Sequence, residues 1–285
     1  MTIYESSSRT VRVSSGSLQD FSLHFNDIGE GRPVVMLHGS GPGASGWSNF
    51  SRNVDAFVAS GHRVILIDLP GWGRSDTVVV KTGNRIPINV DAVIGVLDAL
   101  HIERAHVLGN SMGGATALKF AIQHPTRCEQ LVVMGGGAGG QSLFVPMPSE
   151  GIKSMLAAYR QPSLESLKRM MNVFVFDPKQ ITDELIESRF QAMQDQTAHI
   201  ESFVASMEAN PKHLMAEFAD QLASVKARAL VVWGRDDRCV PLDAGLRLTW
   251  TLPDAQFHVF SRCGHWAQWE HADEFNRLAT GFLKD

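Results

Sequence analysis

Ala105-His106-Val107-Leu108-Gly109-Asn110-Ser111-Met112-Gly113-Gly114 is the stretch whose reading decides the fold. The apolar run ends at Leu108 and helical spacing begins after Gly114. Gly109, Ser111 and Gly113 match the G-x-S-x-G turn that lifts a serine hydroxyl to the top of a sheet. Ser111 is therefore the candidate nucleophile. The flanking glycines have a steric reason, because so sharp a turn brings neighbouring backbone too close for a Cβ. A strand-to-helix turn with an incidental serine would look the same, so the assignment depends on partners elsewhere in the chain.

Outward from this turn the pattern repeats. Continuous apolar runs at 33–37, 63–68, 131–134 and 229–233 have the signature of strands covered on both faces, and helical spacing separates them over 90–100 and 115–124. Strand alternating with helix implies an α/β fold with a mostly parallel, doubly wound sheet. Residues 21–26 alternate apolar with polar, as a half-buried antiparallel strand does, and are expected at the sheet edge after a polar start. A last strand at 256–260 leads to a closing helix at 271–283. Between about 140 and 223 only helical spacing is found, at 164–176, 183–194 and 199–209, apart from the ambiguous run 173–176. The expected organisation is a core of residues 1–139 and 224–285, with a helical lid, 140–223, inserted after the sixth strand. Methionine is concentrated in that insertion, which suits an adaptable apolar surface.

Composition narrows the function classes. The 285 residues, 44% of them hydrophobic, can bury a sizeable core. A net charge of -4 without Lys/Arg clusters gives no footprint for nucleic acid. The three cysteines, Cys128, Cys239 and Cys263, form no C-x-x-C pair and no even disulfide framework, which fits reduced thiols and a cytoplasmic setting. The first residues lack the basic start and apolar core of a signal peptide, and no apolar run is long enough for a membrane span. No His/Cys/Asp spacing suggests a metal site, and no cofactor is expected.

Acyl transfer by serine needs a base, an acid to orient it and donors for the oxyanion. An acid after the penultimate strand and a histidine after the last complete the chain order Ser, Asp, His of α/β-hydrolases. His265 is the candidate base, because it alone among the later histidines follows a sheet strand and lies beside glycine in a loop. The acid is Asp236 or Asp237; adjacent residues point in different directions, and Asp237 is preferred. Backbone N–H groups of Met112 and of the loop His38-Gly39-Ser40-Gly41-Pro42-Gly43, with Ser40 the preferred residue, are the expected oxyanion donors.

That glycine-rich loop, Gly46-Trp47-Ser48-Asn49, Gly109-Asn110-Ser111-Met112-Gly113-Gly114, Pro146-Met147-Pro148 with Glu150-Gly151-Ile152, and Cys263-Gly264-His265-Trp266-Ala267-Gln268-Trp269-Glu270 together resemble the meta-cleavage product hydrolases. The resemblance extends over residues 21–283. It implies an α/β-hydrolase that splits a carbon-carbon bond in vinylogous 1,5-diketones made by extradiol ring cleavage of catechols. Gly71-Trp72-Gly73, Phe174-Val175-Phe176-Asp177 and Glu208-Ala209-Asn210-Pro211 look most like the phenylpropionate-type branch. Its substrate is 2-hydroxy-6-oxonona-2,4-dienedioate, cleaved to 2-hydroxypenta-2,4-dienoate and succinate. The resemblance further implies Arg189 as the grip on the substrate carboxylate, Asn110, Asn49 and Gly41 near its oxygens, and Trp266 as a wall. Ile152, Met170, Phe174, Cys239 and Val240 are implied around the distal group, where Cys239 replaces a common phenylalanine. Family members are homo-oligomers. The implied chemistry is ketonisation of the dienol, then attack on the C6 carbonyl by Ser111 or by a water held in its place. Rival readings are a biphenyl-type relative acting on a phenyl ketone, a plain carboxylesterase, and a small-molecule receptor on the same fold.

Overall fold

A computed structural model describes residues 2–140 and 142–284. Met1, within the segment read for a leader, Gln141, within the expected insertion, and Asp285 lie outside the described residues. In the first half of the chain, α1 (Ile3–Ser7), β1 (Ser8–Ser15), β2 (Leu18–Ile28) and β3 (Arg32–Leu37) lead to α2 (Gly46–Phe50) and α3 (Val54–Ala59). These are followed by β4 (His62–Ile67), α4 (Ile86–Ala99), β5 (Ala105–Asn110), α5 (Met112–Gln123) and β6 (Cys128–Met134). Helices α6 (Glu150–Arg160), α7 (Leu164–Phe174), α8 (Asp183–Asp195) and α9 (Thr197–Ala209) form the insertion. The sheet resumes with β7 (Arg228–Gly234), α10 (Leu242–Thr251) and β8 (Ala255–Phe260). The short α11 (Ala267–Glu270) and α12 (Ala272–Phe282) follow.

One eight-stranded sheet has the order β1-β2-β4-β3-β5-β6-β7-β8. β1 and β2, and β2 and β4, pair antiparallel, while β3 through β8 run parallel. The continuous apolar runs are buried on both faces: Val34, Val35, Met36 and Leu37 of β3 and Val64, Ile65, Leu66 and Ile67 of β4 are all fully covered. Alternate residues of each strand feed two cores, one on each side of the sheet.

The order corrects one expectation. β2 is not the edge strand; β1, in the segment read as a polar start, lies outside it. Of its residues only Val13 is buried, so its sequence carries almost no apolar alternation to read. The ambiguous run 173–176 resolves into the end of α7 at Phe174 followed by extended Val175. Helix α6 lies outside the segments 164–176, 183–194 and 199–209 in which helical spacing is found. Its start is set by Ser149, whose hydroxyl accepts from Ile152 N at 3.3 Å.

Candidate active site

Ser111 stands between β5 and α5 with φ 55° and ψ -119°, an uncommon conformation for a residue bearing a side chain. Its N–H is held by Met134 O at 2.7 Å. The turn closes only because Gly113 has no Cβ, which would lie 2.0 Å from Leu37 O. Ser111 is thereby thrust out at the C-terminal edge of the parallel strands, where open α/β sheets keep their ligand sites.

The loops after β7 and β8 reach the same place. His265 Nδ1 lies 2.7 Å from Asp237 Oδ2, and both side chains are buried. The other carboxylate oxygen, Oδ1, accepts from the N–H groups of Cys239 at 2.7 Å and Val240 at 2.9 Å. Asp236 instead lies beside Arg235 and is partly exposed. His265 is held by its own N–H to Phe174 O at 2.7 Å and by the Phe174 ring, edge-on at 5.2 Å. Gly135, at φ +53°, makes room for the imidazole: a Cβ there would lie 2.8 Å from His265 Cε1. Nε2 of His265 is buried and has no hydrogen-bond partner among the described residues, so it is open to a proton from the cavity side.

Burial disfavours the charged imidazole, but the Asp237 carboxylate, with the Cys239 thiol beside it, outweighs burial and holds the His265 pKa well above the ordinary 6.5. A base works only when neutral. Activity that depends on His265 is therefore lost as pH falls through that raised pKa. The acid limb of kcat/KM is expected above pH 6.5, and in Asp237→Asn it moves down while kcat drops, by ~10⁴-fold where the residue is a triad acid. A pH-rate profile of both proteins checks this; an acid limb unmoved by the substitution would contradict it.

Gly39, Ser40, Gly41, Ala44, Asn49, Asn110, Ser111, Met155, Phe174, Arg189, His265 and Trp266 line one small lobe. A second small lobe is lined by Ser48, Asn49, Met171, Leu185, Arg189, Trp266, Gln268 and Trp269. The two lobes share Asn49, Arg189 and Trp266 as walls.

Arg189, from α8, is buried at 7% exposure, with Nη1 donating to Gly43 O at 3.2 Å and to Ser48 Oγ. No carboxylate pairs with it among the described residues; burial lowers its pKa to about 10. It remains a cation at neutral pH. Asn110 Nδ2 braces the histidine loop through His265 O at 3.2 Å, leaving its buried Oδ1 without a partner. Asn49 braces the other side, accepting from Gly39 N at 3.4 Å and donating to Ser45 O at 3.3 Å. Met112 opens α5, so its N–H has no partner within the helix.

Of the residues expected around a distal group, Phe174 borders the Ser111 lobe. Ile152, Met170, Cys239 and Val240 border neither lobe. Met170 packs toward Gly41, 3.7 Å from where a Cβ would stand, and Ile152 and Val240 pack into the larger core. The 239–240 backbone holds Asp237. Sequence reasoning also passed over Glu270, whose carboxylate accepts from Gly264 N at 2.8 Å and Phe176 N at 2.7 Å, tying the histidine loop to the insertion. Its position in the Gly-His-Trp-Ala-Gln-Trp-Glu run was the available signal. Among the described residues no three His, Cys, Asp or Glu side chains are grouped to hold a metal, and no helix is long and apolar enough to cross a membrane.

A sheet of this order with a serine elbow at its centre is the architecture of the α/β hydrolases, and a model of the alpha/beta hydrolase fold matches residues 32–272. Relatives narrow the class. A 2-hydroxy-6-oxononadienedioate/2-hydroxy-6-oxononatrienedioate hydrolase of Paraburkholderia phymatum is 56% identical over 277 residues, 97% of this chain and 95% of that protein. The Escherichia coli protein of the same name is 54% identical over 262 residues, 92% of this chain and 90% of its own length. Among solved structures, a meta-cleavage product hydrolase from Pseudomonas fluorescens superposes with a TM-score of 0.85 at 33% identity, covering 97% of each chain. The chain belongs to the α/β-hydrolase fold family and, within it, to the meta-cleavage product hydrolases; it is an enzyme.

Proposed function

We propose that the protein hydrolyses 2-hydroxy-6-oxonona-2,4-dienedioate to 2-hydroxypenta-2,4-dienoate and succinate, with Ser111, His265 and Asp237 as the catalytic residues. The observation that carries the reading is Arg189: a buried cation without a carboxylate partner among the described residues, on the wall of the Ser111 lobe, calls for an anionic ligand. A guanidinium fork suits a carboxylate held in one orientation. The relatives named above act on such a dioate, and their overlap with this chain is nearly complete.

The chemistry then runs in two stages. The bound dienol is ketonised by loss of the hydroxyl proton and protonation at C5, which leaves C6 as a carbonyl one carbon removed from an enone. His265 Nε2 takes the proton of the Ser111 hydroxyl, or of a water held by it, as oxygen adds to C6. The oxyanion is received by the N–H groups of Ser40 and Met112. Collapse breaks C5–C6, and the electron pair passes through the enone to the C2 oxygen, giving the dienol. The four-carbon acyl part leaves as succinate after water supplies its second carboxylate oxygen. The insertion acts as a lid, closing Arg189 and Phe174 over the sheet edge. Leu143, Phe144, Leu246 and Trp250, exposed on and beside α10, offer an apolar face for a homo-oligomer.

Decay of the dienolate absorbance with two substrates tests the reading. Fast decay of the nonadienedioate and slow decay of the 6-phenyl hexadienoate are expected. The reverse preference would move the chain to the biphenyl type, and turnover of simple esters alone would overturn carbon-carbon hydrolysis.

A further inference from the structure

The glycine-rich loop after β3 has three consecutive carbonyls, and each meets a side-chain donor. His38 Nδ1 lies 2.7 Å from Gly39 O. The Tyr159 hydroxyl donates to Ser40 O at 2.7 Å, and Trp72 Nε1 donates to Gly41 O at 3.2 Å. The histidine tautomer follows from its partners. Leu69 N–H donates to His38 Nε2 at 2.9 Å, so that nitrogen carries the lone pair and the proton sits on Nδ1, facing Gly39 O. Burial lowers the ring's pKa to about 4, which keeps it in this neutral form near pH 7.

In a trans peptide the C=O and the following N–H point in opposite directions, and among the described residues the cis bond is at Met147-Pro148, outside this loop. Holding the Gly39 carbonyl therefore also sets the direction of the Ser40 N–H, and holding the Ser40 carbonyl sets that of Gly41. The same loop lines the lobe containing Ser111 and His265. It runs so close that a Cβ on Gly39 would lie 3.2 Å from Ser111 Cβ.

We propose that His38, Tyr159 and Trp72 are positioning residues for the Ser40 N–H that receives the oxyanion: His38 aims it directly by holding the Gly39 carbonyl, and Tyr159 and Trp72, by holding the carbonyls of Ser40 and Gly41, keep the peptide after it from turning and so fix the Ser40 backbone from its other side. Donors stabilise a developing charge most when they are aimed before it appears. Tyr159 stands on α6, so one of the three holds on this loop comes from the helical insertion. Its phenol is fixed in turn. The ring stacks on Phe203 of α9 at 3.7 Å and 13°, its oxygen accepts from Trp72 Nε1 at 3.0 Å, and the Arg85 guanidinium lies 4.6 Å over the Trp72 ring. Burial raises the Tyr159 pKa, so it stays a donor at every pH of interest. The way the insertion seats on the core is thus transmitted to the peptide that follows the one meeting the oxyanion, and through it to the Ser40 backbone.

This role rests on the proposed hydrolase reading, and the test separates the two. Stopped-flow measurements on the nonadienedioate resolve the ketonisation phase from release of the pentadienoate. If the wild type releases no pentadienoate, it is the hydrolase reading that fails, and the clamp with it. Given cleavage by the wild type, Tyr159→Phe is expected to slow the cleavage phase about 10-fold, part of the ~10²–10³ lost with a whole donor. Its KM and ketonisation rate stay within about twofold of wild type. The keto intermediate then accumulates. His38→Asn, whose amide can still reach Gly39 O, is expected to cleave faster than His38→Leu. A structural role would lower the amount of active enzyme and the amplitudes of both phases together, without separating their rates. Unchanged cleavage in Tyr159→Phe, or an equal slowing of both phases, overturns the proposal.

Discussion

Ser111→Ala is expected to cut kcat for carbon-carbon cleavage by ~10³-fold or more while the dienol still binds. The fold should be unaffected, because alanine at φ 55° carries the same backbone strain as serine and the elbow is closed by its glycines. Thermal melting within a degree or two of wild type, together with tight binding of unreacted dienol, would show that the lost rate is chemical. His265 is the reason the effect should be large: its Nε2 has no partner among the described residues other than what enters the cavity, and the Asp237 bond at Nδ1 fixes its orientation. A residual rate within tenfold of wild type would remove Ser111 from the mechanism.

Arg189→Met should lower kcat/KM on the nonadienedioate by ~30- to 5,000-fold, the range set by ~2–5 kcal/mol for truncating one partner of a buried, hydrogen-bonded charge pair. The loss should be selective. A neutral ester that enters the same lobe needs no cation, and its hydrolysis should fall far less. Arg189→Lys retains the charge but loses the planar fork and the joint hold on Gly43 O and Ser48, so an intermediate rate is expected. Equal losses on dienol and ester would mean that Arg189 only braces α8 against the Gly43 loop, and the case for a carboxylate ligand would go with it.

The sheet was legible because its parallel strands are buried on both faces and so read as unbroken apolar runs; β3, β4, β6 and β7 all follow this rule. β1 was not, since an antiparallel edge strand with one buried residue has no pattern to see. At the site, Ser111 and the order of acid and base could be read from glycine spacing and strand ends. The choice between Asp236 and Asp237 depends on which carboxylate the 239–240 backbone caps, a relation formed only when the turn folds. Arg189 came from resemblance; a helix arginine gives no sign by itself that folding will bury it with no carboxylate partner among the described residues. The same limit applies to Cys239 and Val240, which line neither lobe and whose N–H groups cap the Asp237 carboxylate. The clamp by His38, Tyr159 and Trp72 joins three distant segments through carbonyl oxygens, and no residue spacing encodes it.

The most direct test of the account is product analysis with purified enzyme and 2-hydroxy-6-oxonona-2,4-dienedioate, by mass spectrometry and proton NMR. Equimolar 2-hydroxypenta-2,4-dienoate and succinate, absent with Ser111→Ala, are predicted. Loss of the dienol absorbance without succinate, with a nine-carbon keto tautomer as the only product, would contradict hydrolysis of the carbon-carbon bond.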